Sequence, residues 1–328
     1  MTIQLTIIGL NQIGLSIGLA LSKQTHQLRR VGHDRDSGLH AQAQKIGAVD
    51  ETRLLLSDSA RDADVIVLCQ PAAQAIETLQ IIAPDLKPEC VVLDTSLSPV
   101  GFFKAAAEAL PHNVYALSFV PAIAPQYLLE SPLDTESAHE DLFKNSTIAI
   151  SSPTNSSTDA LQLATDLAAL LGANTMFSDP FEIGGLLAGT DTMPQMAAAA
   201  LLNAVTGQPG WREGRKLAGS TFALTTLPSE YQPDRKAAAA SLLLEQDNNL
   251  RVLDNYLASL NHLRGMLAQG DAEALEQWLN TAVEARDKWL TARATREYEH
   301  TNQKFEIPTL GQSFGRLLGL GKRKPKDK

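Results

Sequence analysis

The stretch Ile7-Ile8-Gly9-Leu10-Asn11-Gln12-Ile13-Gly14 decides the fold. It completes an apolar run, Ile3–Ile8, that predicts a buried β-strand, and it opens an apolar helix at Ile13. Gly9 and Gly14 match the first and third glycines of the turn G-x-G-x-x-G, which allow a tight turn and close helix–strand packing. The N-terminus of the helix offers unpaired N–H groups to a pyrophosphate. We therefore expect a dinucleotide to contact Gly9, Asn11, Gln12, Ile13 and Gly14.

Three residues around this turn bear on which dinucleotide fits. Asn11 replaces the second glycine; Asn tolerates left-handed backbone angles, and its side chain either crowds the cofactor or hydrogen-bonds to it. Asp34 ends the next predicted strand, 20 residues after Gly14, where a carboxylate accepts hydrogen bonds from a ribose. That carboxylate favours NAD, whereas Arg35 beside it could accept the 2′-phosphate of NADP. The residues leave NAD and NADP open.

The first half of the chain alternates short apolar runs with helical stretches. This alternation predicts a Rossmann-type, doubly wound parallel sheet covered by helices on both faces. Ligands bind at the carboxyl ends of such strands, so we expect Gln70, Pro71 and Asp94 to border the nicotinamide half of the cofactor. The predicted strands are Ile3–Ile8, Leu28–Gly32, Asp64–Cys69, Cys90–Asp94, Val114–Ser118, Thr147–Ser151 and Ala173–Phe177.

From Asp179 onward the strand pattern ends and the chain becomes rich in Ala and Leu at helical spacing. We predict a dinucleotide-binding domain over 1–178, an all-α substrate and dimerisation domain over 179–300, and a flexible tail over 301–328. Pro194 should kink or break a helix there, and Asp271 should cap the last one. One apolar stripe predicts either the core of a monomer or the interface of a homodimer. It consists of Leu250, Leu253, Leu257, Leu260, Leu263 and Leu267.

The composition narrows the classes of function. A net charge of −9 over 328 residues argues against non-specific nucleic-acid binding. The longest apolar runs fall short of the roughly 20 residues that span a bilayer, so we expect no membrane partner. Cys69 and Cys90 lie in apolar stretches, which indicates buried, reduced thiols and a cytoplasmic protein. The spacing of Cys and His residues suggests no metal site.

The order of these motifs resembles that of the prephenate/arogenate dehydrogenase family, over most of residues 1–290. The resemblance implies a Rossmann domain that binds NAD(P), followed by a helical dimerisation domain. It implies oxidative decarboxylation of a carboxylated substrate, prephenate or arogenate, towards tyrosine, with a histidine at the reacting hydroxyl and cations at the carboxylates. Later segments that carry the resemblance are Gly32-His33-Asp34-Arg35, Leu171-Gly172-Ala173, Met193-Pro194 and Gly210-Trp211-Arg212-Glu213.

The chain departs from the family pattern where the chemistry is expected. Val120 stands at the position of the catalytic histidine, and valine can neither accept a proton nor polarise a hydroxyl. A family serine and lysine correspond to Leu97 and Pro99, and the other family histidines are replaced as well. The substrate-binding arginine corresponds to Lys216, with Arg215 adjacent, so we expect Arg215 or Lys216 to hold a substrate carboxylate.

Three hypotheses follow from the sequence. The chain is an NAD(P)-dependent dehydrogenase in which Ser118, Asp191 or a bound water replaces the histidine, with altered substrate or weak activity. Alternatively, it is a catalytically degenerate dinucleotide-binding protein with a regulatory or assembly role. As a third reading, it is another reductase with a Rossmann and a helical domain, in which Lys216 acts as acid and base.

Overall fold

The computed structural model describes residues 2–24, 27–130, 135–153, 156–232 and 234–297. The predicted tail over 301–328 therefore lies outside the described residues. Within them, eight strands form one sheet, because runs of Val, Ile and Leu bury both faces of most strands. The strands are β1 (Ile3–Ile8), β2 (Leu28–His33), β3 (Glu51–Thr52), β4 (Val65–Leu68), β5 (Val91–Asp94), β6 (Tyr115–Pro121), β7 (Thr147–Ser151) and β8 (Asn174–Phe177).

The strand order is β3-β2-β1-β4-β5-β6-β7-β8, and β1 to β6 run parallel to one another. The predicted doubly wound sheet is confirmed. The order reverses between β1 and β4, so the loops after these two strands flank the crevice where such sheets bind ligands. The sheet is not parallel throughout, because β7 runs antiparallel to β6.

Strand β6 is longer than the predicted Val114–Ser118. It continues to Pro121, since the apolar side chains Phe119 and Val120 extend the buried run and pair with β7. Val120 therefore belongs to the strand itself, at its carboxyl end. The strand β3, only two residues long, was not predicted, because so short a segment carries no recognisable alternation.

Helices cover both faces of the sheet and then form a second, all-α domain. After β8 the described residues contain helices and turns but no strand, which confirms the predicted class of that domain. The helices are α1 (Gln12–Ala20), α2 (Gly38–Lys45), α3 (Leu56–Ala60), α4 (Ala72–Ile82), α5 (Pro99–Ala109), α6 (Thr158–Leu170), α7 (Pro180–Leu187), α8 (Met193–Thr206), α9 (Trp211–Gly214), α10 (Ser220–Thr226), α11 (Arg235–Leu244), α12 (Gln246–Gln269) and α13 (Ala272–Thr295).

Pro194 interrupts the long helical stretch as predicted. It lies in the first turn of α8, where its missing N–H is tolerated. The preceding segment, Ala188–Thr192, widens into a π-helix. Asp271 caps α13 as predicted, since its carboxylate accepts a 3.0 Å hydrogen bond from Ala274 N. No helix in the described ranges is long and apolar enough to cross a membrane.

Candidate functional site

The glycine turn between β1 and α1 is held by backbone contacts that exclude side chains. Gly9 has a φ of +100°, and a Cβ at this position would come within 3.0 Å of the Cys69 carbonyl oxygen. A Cβ on Gly14 would meet the carbonyl oxygen of Gly9 equally closely. The turn therefore presses α1 against β1 and β4, as the spacing of the two glycines predicts.

Asn11 is the N-cap residue of α1. Its backbone is extended, with φ −82°, so the left-handed conformation considered for it is not used. Its side-chain oxygen accepts a hydrogen bond from Gly14 N (3.1 Å), and its Nδ2 donates to the Cys69 carbonyl (2.8 Å). The residue thus fixes the end of the helix rather than only crowding a ligand.

The start of α1 fits the phosphates of a dinucleotide. Gln12 and Ile13 form its first turn, where backbone N–H groups have no acceptor within the helix, and both residues line the cleft beside the turn. The buried Gln12 side chain donates to the carbonyl of Ser137 (3.0 Å), which anchors the loop after β6 against this end of α1. The glycines leave the approach to these amides open.

The opposite end of the crevice suits an adenosine ribose. Asp34 follows β2 directly and accepts hydrogen bonds from Leu10 N (2.7 Å) and Asp36 N (2.9 Å), so its carboxylate is fixed beside the turn. Arg35 is exposed, and its guanidinium donates to Glu77 at 2.8 Å. This pairing places a second carboxylate close to the site where a 2′-phosphate would bind.

A cleft of about 1170 Å³ continues from the turn into the space between the two domains. On the sheet side it is bordered by the loops after β1, β4 and β5 and by the end of β6. On the other side it is bordered by the π-helical segment, α8 and α11. Residues that line it include Asn11, Gln70, Pro71, Ser96, Val120, Asp191, Tyr231, Arg235 and Glu245.

Hydrogen bonds across the cleft hold the two domains together. Gln74 Nε2 donates to Asp234 (2.9 Å), and Ala73 N donates to the hydroxyl of Ser241 (3.1 Å). Glu245 accepts a bond from Val100 N (3.2 Å) in the first turn of α5, and burial raises the pKa of Glu245. The helical domain therefore closes onto the carboxyl edge of the sheet.

The cleft is poor in cations. Among the described residues that line it, Arg235 is the only Lys or Arg, and its guanidinium bonds to the carbonyl of Ser229 (2.9 Å). Three carboxylates line the same space, those of Glu130, Asp191 and Glu245. Arg235 is thus positioned to attract an anionic substrate group. It was not singled out from the sequence, because only folding brings α11 to the cleft.

Asp191, a predicted catalytic candidate, lies on the π-helical segment and faces the cleft. Its carboxylate accepts a 2.6 Å hydrogen bond from Gln195, and enclosure by the cleft walls raises its pKa. Ser118, the other candidate, is completely buried in β6, and its hydroxyl has no hydrogen-bond partner among the described residues. Ser118 does not line the cleft, so its side chain has no access to a substrate there. Its catalytic role stays a prediction.

Asp94, predicted to border the nicotinamide, lies completely buried beneath the cleft. Its carboxylate accepts bonds from Ser96 Oγ (2.6 Å) and Ser96 N (3.2 Å). Burial raises the pKa of Asp94 to about 7, against the lowering effect of these bonds. The predicted contact of Asp94 with the cofactor therefore stays a prediction, whereas Gln70 and Pro71 do border the cleft.

The histidines in the described ranges do not line the cleft. His33 and His40 are buried behind the ribose end, and His139 pairs with Glu130 at 2.7 Å and stacks on Tyr127. Arg215 and Lys216 also lie outside the cleft lining, and Lys216 pairs with Glu213. Their predicted contact with a substrate carboxylate stays a prediction.

Comparison with known families matches both domains. Residues 17–177 match the nucleotide-binding domain of prephenate dehydrogenase, and residues 184–281 match its dimerization domain. A cyclohexadienyl dehydrogenase of Zymomonas mobilis is 22% identical over 291 residues, covering 86% of this chain and 94% of that protein. A prephenate dehydrogenase of Bacillus subtilis is 23% identical, covering 85% of this chain and 74% of that protein.

Solved structures show the same fold. A prephenate dehydrogenase from Aquifex aeolicus, in complex with hydroxyphenyl propionate and NAD+, superposes with a TM-score of 0.74 at 17% identity, covering 88% of this chain and 98% of that one. An arogenate dehydrogenase from Synechocystis gives a TM-score of 0.66 at 21% identity, covering 88% and 100%. With both domains matched in order, the chain belongs to the prephenate dehydrogenase family.

Proposed function

We propose that this chain is an NAD-dependent dehydrogenase that oxidatively decarboxylates a prephenate- or arogenate-like substrate. The observation that carries the proposal is the cleft that joins the glycine turn to the helical domain of the same family. Gly9, Gln12 and Ile13 would hold the pyrophosphate, and Asp34 would hold the adenosine ribose. When bound, the cofactor supplies the hydride acceptor.

The preference for NAD rests on the charges at the ribose end. The Asp34 carboxylate is fixed where it repels a 2′-phosphate, and the Arg35 guanidinium is paired with Glu77. The pair is largely exposed, so its own contribution to stability is small. Its effect on specificity is local, because Glu77 offsets the charge of Arg35, a cation that would attract the phosphate.

The substrate would lie between Val120 and the helical domain. Arg235 would attract one carboxylate, and the apolar residues of the cleft would pack against the reacting ring. For the ring carboxylate to leave as CO2, the ring hydroxyl must lose its proton and the carbon that bears this hydroxyl must lose hydride. The reaction therefore needs a proton acceptor in a cleft that, over its described lining, contains no histidine.

A second candidate function is supported by Val120. This apolar side chain lines the cleft, and the resemblance to the family predicts a histidine at its position. The chain could therefore bind a dinucleotide without turnover and serve a regulatory role. The Val120→His variant separates the two. If only the base has been lost, this variant gains turnover; if it remains inactive, the alternative is favoured.

We also infer that the active form is a homodimer formed through the helical domain. Four leucines of the predicted stripe, Leu250, Leu257, Leu260 and Leu267, are exposed in the single chain, as are Leu279 and Trp289 on α13. A stripe of this kind is unfavourable in water unless another surface covers it. The matched domain is described as a dimerization domain, which supports the same inference.

One experiment tests the proposed function. Purified protein is titrated with NADH and NADPH by nicotinamide fluorescence, and turnover of prephenate and arogenate with NAD+ is followed by absorbance. We expect NADH to bind at least about tenfold more tightly than NADPH, which corresponds to about 1.4 kcal/mol. The Glu77→Ala variant should lower the ratio of the Kd for NADPH to the Kd for NADH. Binding without turnover of either substrate would exclude the dehydrogenase proposal for them, and no binding would exclude the cofactor.

A further inference from the structure

The loop after β5 brings a serine hydroxyl to the cleft and holds it against the buried carboxylate of Asp94. Asp94 lies beside Ser118 in the parallel pairing of β5 and β6. Two residues further along, Ser96 lies in the loop after β5 and Val120 lies near the carboxyl end of β6, and both line the cleft. Ser96 and Val120 thus follow paired residues of neighbouring strands at the same edge of the sheet.

The hydroxyl of Ser96 is oriented by Asp94. Ser96 Oγ donates a 2.6 Å hydrogen bond to Asp94 Oδ2, and its backbone N donates to Oδ1. Because the proton of Ser96 points towards the carboxylate, the lone pairs of Oγ are left for a donor in the cleft. A ring hydroxyl is such a donor.

The surroundings of Asp94 make it able to take a proton. It is completely buried and forms none of the ion pairs found in the described part of the chain. The groups around it are Ser96 and Thr95 on its own loop, the thiol of Cys69 on the loop after β4, and Ser118 on β6. On the helical domain, Glu245 bonds to Val100 N, six residues along the chain from Asp94. Burial without a cation keeps the pKa of Asp94 near 7, so it exchanges a proton in the neutral range.

We propose that Ser96 and Asp94 together accept the proton of the substrate hydroxyl, in place of the family histidine. The inference rests on the proposed function. As the O–H bond of the substrate breaks, Ser96 Oγ gains that proton and passes its own proton to Asp94 Oδ2. The carbon that carries the hydroxyl would become a carbonyl carbon by losing hydride to the nicotinamide. As CO2 leaves, the electrons of the breaking ring–carboxylate bond would enter the ring and reach the carbonyl oxygen, which becomes a phenol oxygen by taking the proton back from Asp94 through Ser96.

The two candidates predicted from sequence fit this step less well. Ser118 is buried next to Asp94 but has no access to the cleft. Asp191 has access, but it lies on the helical wall with its carboxylate bonded to Gln195. Ser96 has both access to the cleft and a carboxylate behind it.

Two Ser96 variants and one matched control test the proposal by steady-state kinetics. We expect Ser96→Ala to lower kcat about 100- to 10,000-fold while the Kd for NADH stays within about twofold. Ser96→Thr, which keeps the hydroxyl, should retain kcat within about tenfold. The control is Ser98→Ala, which removes a buried hydroxyl of the same loop that does not bond to Asp94.

The pH profile tests Asp94, which acts through Ser96. The kcat of the wild-type protein should fall as the pH decreases below about 7, because a protonated Asp94 cannot accept a proton. Asp94→Asn should be slow and should lose this limb of the profile. If the wild-type protein is active and Ser96→Ala keeps kcat within about threefold, the inference is overturned while the proposed function stands. An inactive wild-type protein that binds NADH overturns both.

Discussion

The two domains treat their apolar residues in opposite ways. In the sheet domain the strands bury them completely: Ile7, Val67 and Leu93 are each 0% exposed. On α12, by contrast, Leu257 is 47% exposed and Leu267 is 60% exposed. The first domain therefore completes its core within one chain, whereas the second leaves an apolar surface for another molecule to cover.

This difference also separates two readings that the sequence left open. A leucine stripe at helical spacing predicts a monomer core and a dimer interface equally well. In the structure, Val252 and Met266 provide the buried face of α12 within the chain, and the predicted stripe lies mainly outside it. We therefore expect that a larger side chain in the packed sheet domain lowers the stability of the fold. A charge in the exposed leucine stripe should instead change the assembly of the helical domain.

The largest expected effect follows from adding one methyl group to the glycine turn. Gly14→Ala would place a Cβ within 3.0 Å of the Gly9 carbonyl oxygen. To relieve this clash the backbone of the turn or of α1 would have to shift, which costs free energy. We expect a loss of at least about 3 kcal/mol in the free energy of unfolding, together with loss of NADH binding. The control is Gly265→Ala on α12, where a Cβ meets nothing within 4 Å. It should stabilise by about 0.5–1 kcal/mol in urea titrations, and equal effects at the two positions would break the comparison.

The next effect concerns assembly. Leu257→Asp places a charge in the exposed stripe of both copies, so we expect the dimer to dissociate at least about 100-fold more readily, by sedimentation equilibrium. The folded content by circular dichroism should stay unchanged, since the side chain is already half exposed. Asn255→Asp adds the same charge about 200° around the helix and should leave the dimer intact. A monomeric wild-type protein would contradict the proposed dimer.

A third effect tests the buried carboxylate of the sheet domain by pH. The pKa of Asp94 rises from 3.8 to about 7 on folding, so the folded state binds more protons than the unfolded state between these values. Stability from this group is therefore lost as the pH rises from about 4 to 7. Asp94→Asn removes that loss, and we expect a gain of about 4 kcal/mol at pH about 8 and little change at pH about 4.

Asp50 provides the matched control for this measurement. Burial tends to raise the pKa of Asp50, but the hydrogen bonds from Arg30 at 2.6–3.3 Å lower it overall. Its contribution is therefore present above its unfolded pKa and lost as the pH falls. Asp50→Asn should destabilise the protein near neutral pH, with a sign opposite to that of Asp94→Asn. Identical signs in urea unfolding would contradict the assignment of the buried charge.

The smallest effect lies at the start of α13. Asp271→Ala removes the bond to Ala274 N and should cost about 1 kcal/mol of unfolding free energy. Ser37 precedes α2 in the sheet domain, but its side chain makes no capping bond. Ser37→Ala should therefore leave the unfolding free energy nearly unchanged. Both variants are measured by thermal unfolding, and an equal loss of stability in the two would show that the cap bond is not the cause.

The sequence predicts the sheet well because each strand is specified locally. The run Ile3–Ile8 has the same bounds in sequence and structure, and the residues of the glycine turn lie where their spacing places them. The antiparallel direction of β7 was missed, since a short apolar strand carries no signal of its direction. The bond from Asn11 to the Cys69 carbonyl was not predicted, because Cys69 is 58 residues away along the chain.

The site is less predictable than the fold for the same reason. Arg235 and Glu245 reach the cleft only because α11 and the start of α12 fold back onto α4 and α5. No motif around either residue marks it. Ser96 lies in a loop that the sequence predicts to border the nicotinamide, but its bond to Asp94 depends on how the loop turns.

The π-helical segment between α7 and α8 sets the rotation of α8 about its own axis. Each residue of a regular helix turns the following ones by about 100°, so the wider winding over Ala188–Thr192 determines which side of α8 meets the nucleotide domain. Asp191 lies inside the segment, and Gln195 and Met196 follow it into the cleft. Substitutions within this segment can therefore be tolerated where a single deletion cannot, because a deletion would rotate the whole of α8 out of phase with its partner.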